Sequence, residues 1–224
     1  MRSSRWHAHG NVYLVAEHDD FTMDPDLDGV VRVLDVDGDD VHVAIVNPDG
    51  STAEMSGNGT RIAAAWLMER TGSDMARVHV GLRVVAVRRA YGGLFESDLG
   101  QVEVGSLERV DGVELTPVSV GNPHAVVRGD PGEIVRLGPL LETHARFPER
   151  TNVQVARVEA PGEVTARVWE RGVGETSASG TSAVAVAAAT HGDGEVLVHF
   201  PGGDLRVRLE HGRATLAGPA ERLD

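Results

Sequence analysis

One pattern occurs twice along this chain in the same order, and that duplication is the strongest constraint on its fold. Residues 9–15 read His-Gly-Asn-Val-Tyr-Leu-Val, and residues 120–127 read Val-Gly-Asn-Pro-His-Ala-Val-Val. Further on, Ala53-Glu54-Met55-Ser56-Gly57-Asn58-Gly59 leads into an alanine-rich segment, Gly59 to Arg70. Its counterpart, Thr176-Ser177-Ala178-Ser179-Gly180-Thr181-Ser182, leads into another, Gly180 to Thr190. Both segments are nearly apolar around their whole circumference, which predicts helices buried on every side. Each stops near a glycine, Gly72 or Gly192, the residue best suited to the left-handed turn that ends a helix. Valine-rich runs of period two predict half-buried strands at Val41-Val43-Ile45, Val78-Val80-Leu82-Val84, Val164-Ala166-Val168 and Leu205-Val207-Leu209. The expected class is α+β, in two related halves covering residues 1–107 and 108–224, with the boundary in the Gly105–Asp111 stretch. Ligands of two-halved proteins tend to sit in the cleft between the halves.

Composition removes several chemistries. The chain has 224 residues and a formal net charge of −13, which gives no electrostatic footing for a phosphate backbone and argues against a nucleic-acid partner. Its 21 basic residues are all arginine, so lysine Schiff-base chemistry is excluded. There is no cysteine, which excludes thiolate nucleophiles, zinc-thiolate sites and disulfides. No continuous apolar run approaches the ~18 residues of a membrane span. The first residues carry no apolar signal core. A cytoplasmic protein without a membrane partner is the expectation.

The two helix starts put Ser56 and Ser179 beside small residues where backbone N–H groups and the helix dipole favour an anion. Either pattern alone is ordinary N-capping, but capping does not require the same pattern twice. Glu170-Arg171-Gly172-Val173-Gly174-Glu175 places two carboxylates and an arginine in a glycine-rich loop before the second helix, a charge density that a turn does not need. Asn47-Pro48-Asp49-Gly50 reads as a plain turn. Asn122-Pro123-His124 reads the same way in isolation, yet its pairing with Asn11 favours a functional asparagine. His144, His191, His199 and His211 show no metal-ligand spacing and are expected at the surface. No nucleotide-binding glycine motif and no metalloprotease motif occurs, so a reaction without cofactor or metal is expected.

Taken together, these residues resemble the diaminopimelate epimerase family of cofactor-independent amino-acid epimerases. The matching stretches are His9-Gly10-Asn11, Asn47 to Ser51, Glu54 to Arg61, Gly121 to His124, Leu137 to Glu142, Phe147 to Val153, Glu170 to Thr176 and Phe200 to Gly203. The resemblance implies two pseudo-symmetric halves, each a mostly antiparallel sheet wrapped around a central buried helix. It implies epimerisation at the α-carbon of LL- or meso-diaminopimelate, with one acid/base group on each face of that carbon. Asn11, Asn47, Asn122, Asn152, Glu170 and Arg171 are then expected to bind the substrate's polar groups. The backbones of Gly57, Asn58, Gly180 and Thr181 are expected to grip the reacting carboxylate. His124 and Glu170 are expected to flank the two acid/base positions. Relatives are commonly dimers, so a homodimer is also expected.

The chain departs from that pattern at its centre. The family's two cysteine thiols correspond here to Ser56 and Ser179, and a hydroxyl without an adjacent base cannot take a proton from carbon at useful rates. Ile62, Ala125 and Val184 also stand where relatives often have cysteine, which favours a naturally cysteine-free sequence over two engineered substitutions. His124, Glu170, Glu54 and Glu175 are the candidates for activating the hydroxyls. The stretch from Asp24 to Leu34 is too short for a helix-containing segment, and the C-terminus is expected to lack a final strand. Two other readings stay open: an isomerase driven by Glu170 or His124 on a different small carboxylate, and a binding protein that has kept the anion-binding helix ends.

Overall fold

The computed structural model describes residues 3–53 and 56–223 and divides into two compact units. The first comprises residues 1–98 together with 217–224, and the second comprises residues 99–216. The first unit thus closes before the Gly105–Asp111 stretch and takes its last segment from the far end of the chain.

Strands β1 (Ser3–Ala8), β2 (Asn11–Ala16), β3 (Gly29–Asp37), β4 (Asp40–Val46) and β5 (Thr52–Ala53) precede helix α1 (Gly57–Thr71) in the first unit. After α1 come β6 (Met75–Val80), β7 (Arg83–Arg89) and β8 (Leu94–Gln101), within which the chain leaves the unit. The second unit contains β9 (Glu103–Val104), β10 (Glu108–Val110), β11 (Val113–Ser119), β12 (Pro123–Arg128), α2 (Ile134–Glu142), β13 (Asn152–Ala160), β14 (Glu163–Glu170) and β15 (Gly174–Thr176). It continues through α3 (Gly180–Thr190), β16 (Gly194–Phe200) and β17 (Gly203–Glu210), and β18 (Arg213–Pro219) carries the chain back to the first.

The pairing repeats as the sequence does. In the first unit β2 runs parallel to β3 and β4 parallel to β6, while β1–β2, β3–β4, β4–β5 and β6–β7 are antiparallel. In the second, β12 runs parallel to β13 and β14 parallel to β16, while β11–β12, β13–β14, β14–β15 and β16–β17 are antiparallel. Even the register shift recurs, between Val33 and Asp35 in one long hairpin and between Val158 and Ala160 in the other. The fold is the expected α+β, sheet-dominated type.

Each unit is organised around one helix. Every residue from Asn58 to Met68 of α1 is buried, and the helix touches β1, β2, β3, β4, β6 and β7. Helix α3 touches β11, β12, β13, β14, β16 and β17, and its Ala183–Ala187 run lies in a core with Val126, Val164, Val168, Val198, Leu205 and Leu216. Alanine suits both helices because sheet approaching from many sides leaves little room for longer side chains. Helix α1 ends as expected, with Gly72 at φ +76° and its N–H on the Met68 carbonyl.

Three expectations need correction. The Val78–Val84 run is a hairpin rather than one strand: Val80 pairs with Arg83 around a two-residue turn whose Gly81 has φ +59° and whose Leu82 is fully exposed. Alternation continues through a tight turn, so period alone could not reveal it. There is also a third helix, α2, which its internal Pro139 disguised. It covers β13 and β14 with Ile134, Leu137 and Leu141. Finally, the C-terminus does supply a strand: β19 (Glu221–Arg222) pairs antiparallel with β1, Trp6 facing Arg222. Residues 24–34 hold no helix, as expected from their length.

Candidate active site

Each unit carries a serine at the N-terminus of its central helix. Short strands β5 and β15 aim the chain into the two helix starts. The first-turn N–H groups of any helix lack intrahelical acceptors, so both ends present polarised donors beside a serine.

In the second unit, Ser179 precedes α3 in extended conformation and its hydroxyl does not cap the helix. It lies close enough to the carboxylate of Glu170 to favour that group's charged form, and the carboxylate accepts from Thr176 Oγ1 at 2.6 Å. Burial pushes the Glu170 carboxyl above the usual carboxylate range, and the two hydroxyls offset only part of that rise. A strengthened base therefore lies directly behind a helix-terminal hydroxyl.

The surrounding residues form one bonded frame. Asn152 on β13 donates to the Pro123 carbonyl at 2.9 Å and accepts from the Arg171 N–H at 3.0 Å, so both ends of its amide hold backbone. Arg171 itself donates to the Glu149 carbonyl at 3.2 Å. Buried His124 has both ring nitrogens engaged, with Asn122 Oδ1 at 3.0 Å from Nε2 and Gln154 Nε2 at 3.0 Å from Nδ1. Burial drives its pKa down to about 3, so the ring is neutral at physiological pH. With Gln154 donating to Nδ1, the ring proton sits on Nε2 and holds Asn122.

Glu142, at the end of α2, fixes the loop that carries Glu170 and Arg171. It accepts from Trp169 Nε1 at 2.8 Å and from the Gly172 N–H at 2.8 Å, and pairs with Arg150 at 2.7 Å. Burial alone would raise its pKa, but these donors outweigh that and keep it below the usual range. Nothing in the local sequence marks Glu142 for this role, because Trp169 and Gly172 lie 27 and 30 residues away. Gln154, which bridges His124 to Ser182 at 3.0 Å, escaped notice for the same reason.

In the first unit, Ser56 does cap its helix, accepting the Gly59 N–H at 3.1 Å. Its hydroxyl also lies 3.3 Å from the Tyr13 hydroxyl. Asn58 is buried, and its side chain accepts from the fully buried Arg61. Asn47 closes a turn, donating to Ser51 Oγ at 3.0 Å, and Asn11 reaches the His9 carbonyl at 3.5 Å. Glu54 lies outside the described residues, and Glu175 is held by Arg167 at 2.6 Å. His211 is exposed, whereas His144, His191 and His199 are partly buried. Among the described residues no cluster of three or more histidine or acidic side chains could hold a metal ion. No helix among them is long and apolar enough to cross a membrane.

Solved structures share this fold. A predicted epimerase from Pseudomonas aeruginosa superposes with TM-score 0.76 at 19% identity, covering 100% of this chain and 97% of that one. A hydroxyproline epimerase from Agrobacterium vitis gives TM-score 0.69 at 15% identity, covering 98% and 88%. The model of the family described as diaminopimelate epimerase matches residues 8–102 and 116–223. The chain belongs to that family. The diaminopimelate epimerase of Pelotomaculum thermopropionicum is 38% identical over 88% of this chain and 81% of its own length. That of Xanthomonas oryzae pv. oryzae is 32% identical over 98% and 93%.

Proposed function

We propose that this chain is a cofactor-independent epimerase acting at the α-carbon of diaminopimelate, with hydroxyls in place of thiols. The observation that carries the reading is the pairing of Ser179, at the start of α3, with the carboxyl of Glu170, whose pKa burial raises, in a chain of this family. A serine hydroxyl is too weak an acid to form an alkoxide unaided, but a relay does not require one. As the α-proton moves to Ser179 Oγ, the Ser179 proton moves to Glu170, and the charge ends on a carboxyl whose pKa burial has already raised. On the other face, the Ser56 hydroxyl supplies the replacement proton. The N–H groups of Gly57, Asn58, Gly180 and Thr181 stabilise charge developing on the substrate carboxylate. Asn11, Asn47 and Arg171 remain the residues assigned to substrate polar groups, while His124, Asn122 and Asn152 act by positioning. The reading carries with it a cytoplasmic location and a homodimer.

The test is α-proton exchange. The protein is incubated in deuterium oxide with LL- and meso-diaminopimelate, and α-deuterium and stereochemistry are followed by NMR. Exchange with inversion, lost in both Ser179→Ala and Glu170→Gln, is the expected result. Exchange lost in Glu170→Gln but retained in Ser179→Ala would make the carboxylate the direct base. Saturable binding without exchange would leave a binding protein. The same assay on a panel of other small carboxylates separates this reading from an isomerase of different substrate.

A further inference from the structure

The second unit has a carboxylate behind its serine, but Ser56 has none among the described residues bonded to it. Its hydroxyl partner is Tyr13, 3.3 Å away. We propose that Tyr13 is the proton partner of Ser56: its phenol recharges the Ser56 hydroxyl as that group protonates the α-carbon, and takes the proton back in the reverse direction. This inference rests on the epimerase reading above.

Three observations support it. Tyr13 is held in place: the residue is 8% exposed, and its ring lies so close over Gly29 that a Cβ there would come within 2.6 Å of it. Phenols are the most acidic hydroxyls among side chains, ionising near ~10 when unperturbed. And Arg61, whose charge interacts with Tyr13, has no exposed surface, and its Nη1 finds no hydrogen-bond partner among the described residues. Burial lowers its pKa only to about 10, so it stays charged at neutral pH. An underused buried cation beside a phenol favours the phenolate.

The proton balance closes. In one direction the Tyr13 proton passes to Ser56 Oγ and the Ser56 proton to the carbon, leaving Tyr13 as phenolate facing Arg61. Meanwhile the proton removed on the opposite face ends on Glu170. Exchange with solvent resets both. Two titratable groups flanking this part of the unit are His9, which follows β1, and Asp28, ahead of β3, whose Oδ2 accepts the Val12 N–H at 2.8 Å. Asp28 is committed to that backbone bond, and His9 lies beside Arg61 and Gly218.

The test is Tyr13→Phe, which keeps the ring and removes only the hydroxyl. Inversion of both diaminopimelate stereoisomers should fall about 100-fold or more. For the configuration whose α-proton faces Ser179, exchange with retention should survive, and ligand affinity should stay unchanged. A structural role would reduce inversion and exchange together, and that result overturns the proposal, as does wild-type inversion by the variant. If the wild type neither exchanges nor inverts, the epimerase reading fails and takes this inference with it. A second measurement needs no turnover. The chain has two tyrosines, and Tyr91 is fully exposed, so in Tyr91→Phe the phenolate absorbance reports Tyr13 alone. A midpoint below ~10 supports the assignment. A midpoint at or above that value overturns it.

Discussion

Gly138 and Trp169 touch so closely that a Cβ on the glycine would stand 2.7 Å from the indole. Helix α2 therefore lies directly on β14, which lets Glu142 reach both the Trp169 N–H and the Gly172 N–H. Gly138→Ala should push the indole away and loosen the loop carrying Glu170. Overpacking of this kind costs about 1–3 kcal/mol. Urea unfolding should show that loss, and α-proton exchange should slow with little change in affinity.

Glu170 combines catalytic promise with a stability cost. A buried carboxyl with a raised folded pKa binds its proton more tightly folded than unfolded, so stability falls as pH rises through its unfolded value near ~4.3. At neutral pH the charge is a burden on the fold. Glu170→Gln should therefore raise the melting temperature at pH 7 while abolishing exchange, a pairing that calorimetry and the NMR assay can check on one preparation.

His124 has the opposite signature on the acid side. Its pKa falls to about 3 in the fold, against ~6.5 unfolded, so the unfolded chain binds the extra proton between those values. The contribution of the neutral ring is complete above ~6.5 and is lost as pH drops toward 3, by an amount on the order of 4 kcal/mol. In His124→Gln the stability profile from pH 6.5 to 4 should be flatter than in the wild type, as read from denaturant midpoints.

Restoring thiols tests the hydroxyl chemistry directly. A cysteine titrates near ~8.5 and lower at a helix N-terminus, so the double substitution Ser56→Cys with Ser179→Cys should raise the inversion rate at least tenfold and make it sensitive to iodoacetamide. An unchanged rate would mean that the serines are not in the proton path.

The order of segments was legible because it is written twice, and the two central helices because their alanines leave no polar face. Helix α2 was not, since Pro139 and its short length defeat periodicity. At the candidate site, Ser56, Ser179 and Glu170 stand out in local sequence: each stands in a segment whose charge or repetition exceeds what a turn needs. Tyr13 and Glu142 could not. A tyrosine in an alternating strand reads as core, and its approach to Ser56 spans 43 residues. The frame around His124 depends on Gln154 and Ser182, distant in sequence and joined only by the parallel pairing of β12 with β13 and the placement of α3.

The first unit cannot be finished when its own stretch of chain has been made. Strand β19 and its pairing with Trp6 and His7 come from residues 221 and 222, so during synthesis residues 3–98 emerge with β1 still missing a neighbour. Over that interval the intervening 99–216 segment leaves the ribosome with its own strands and helices complete. The later-made unit can thus fold first, and the earlier-made one must wait, exposing an unpaired edge of the kind that invites aggregation until residues 221 and 222 arrive.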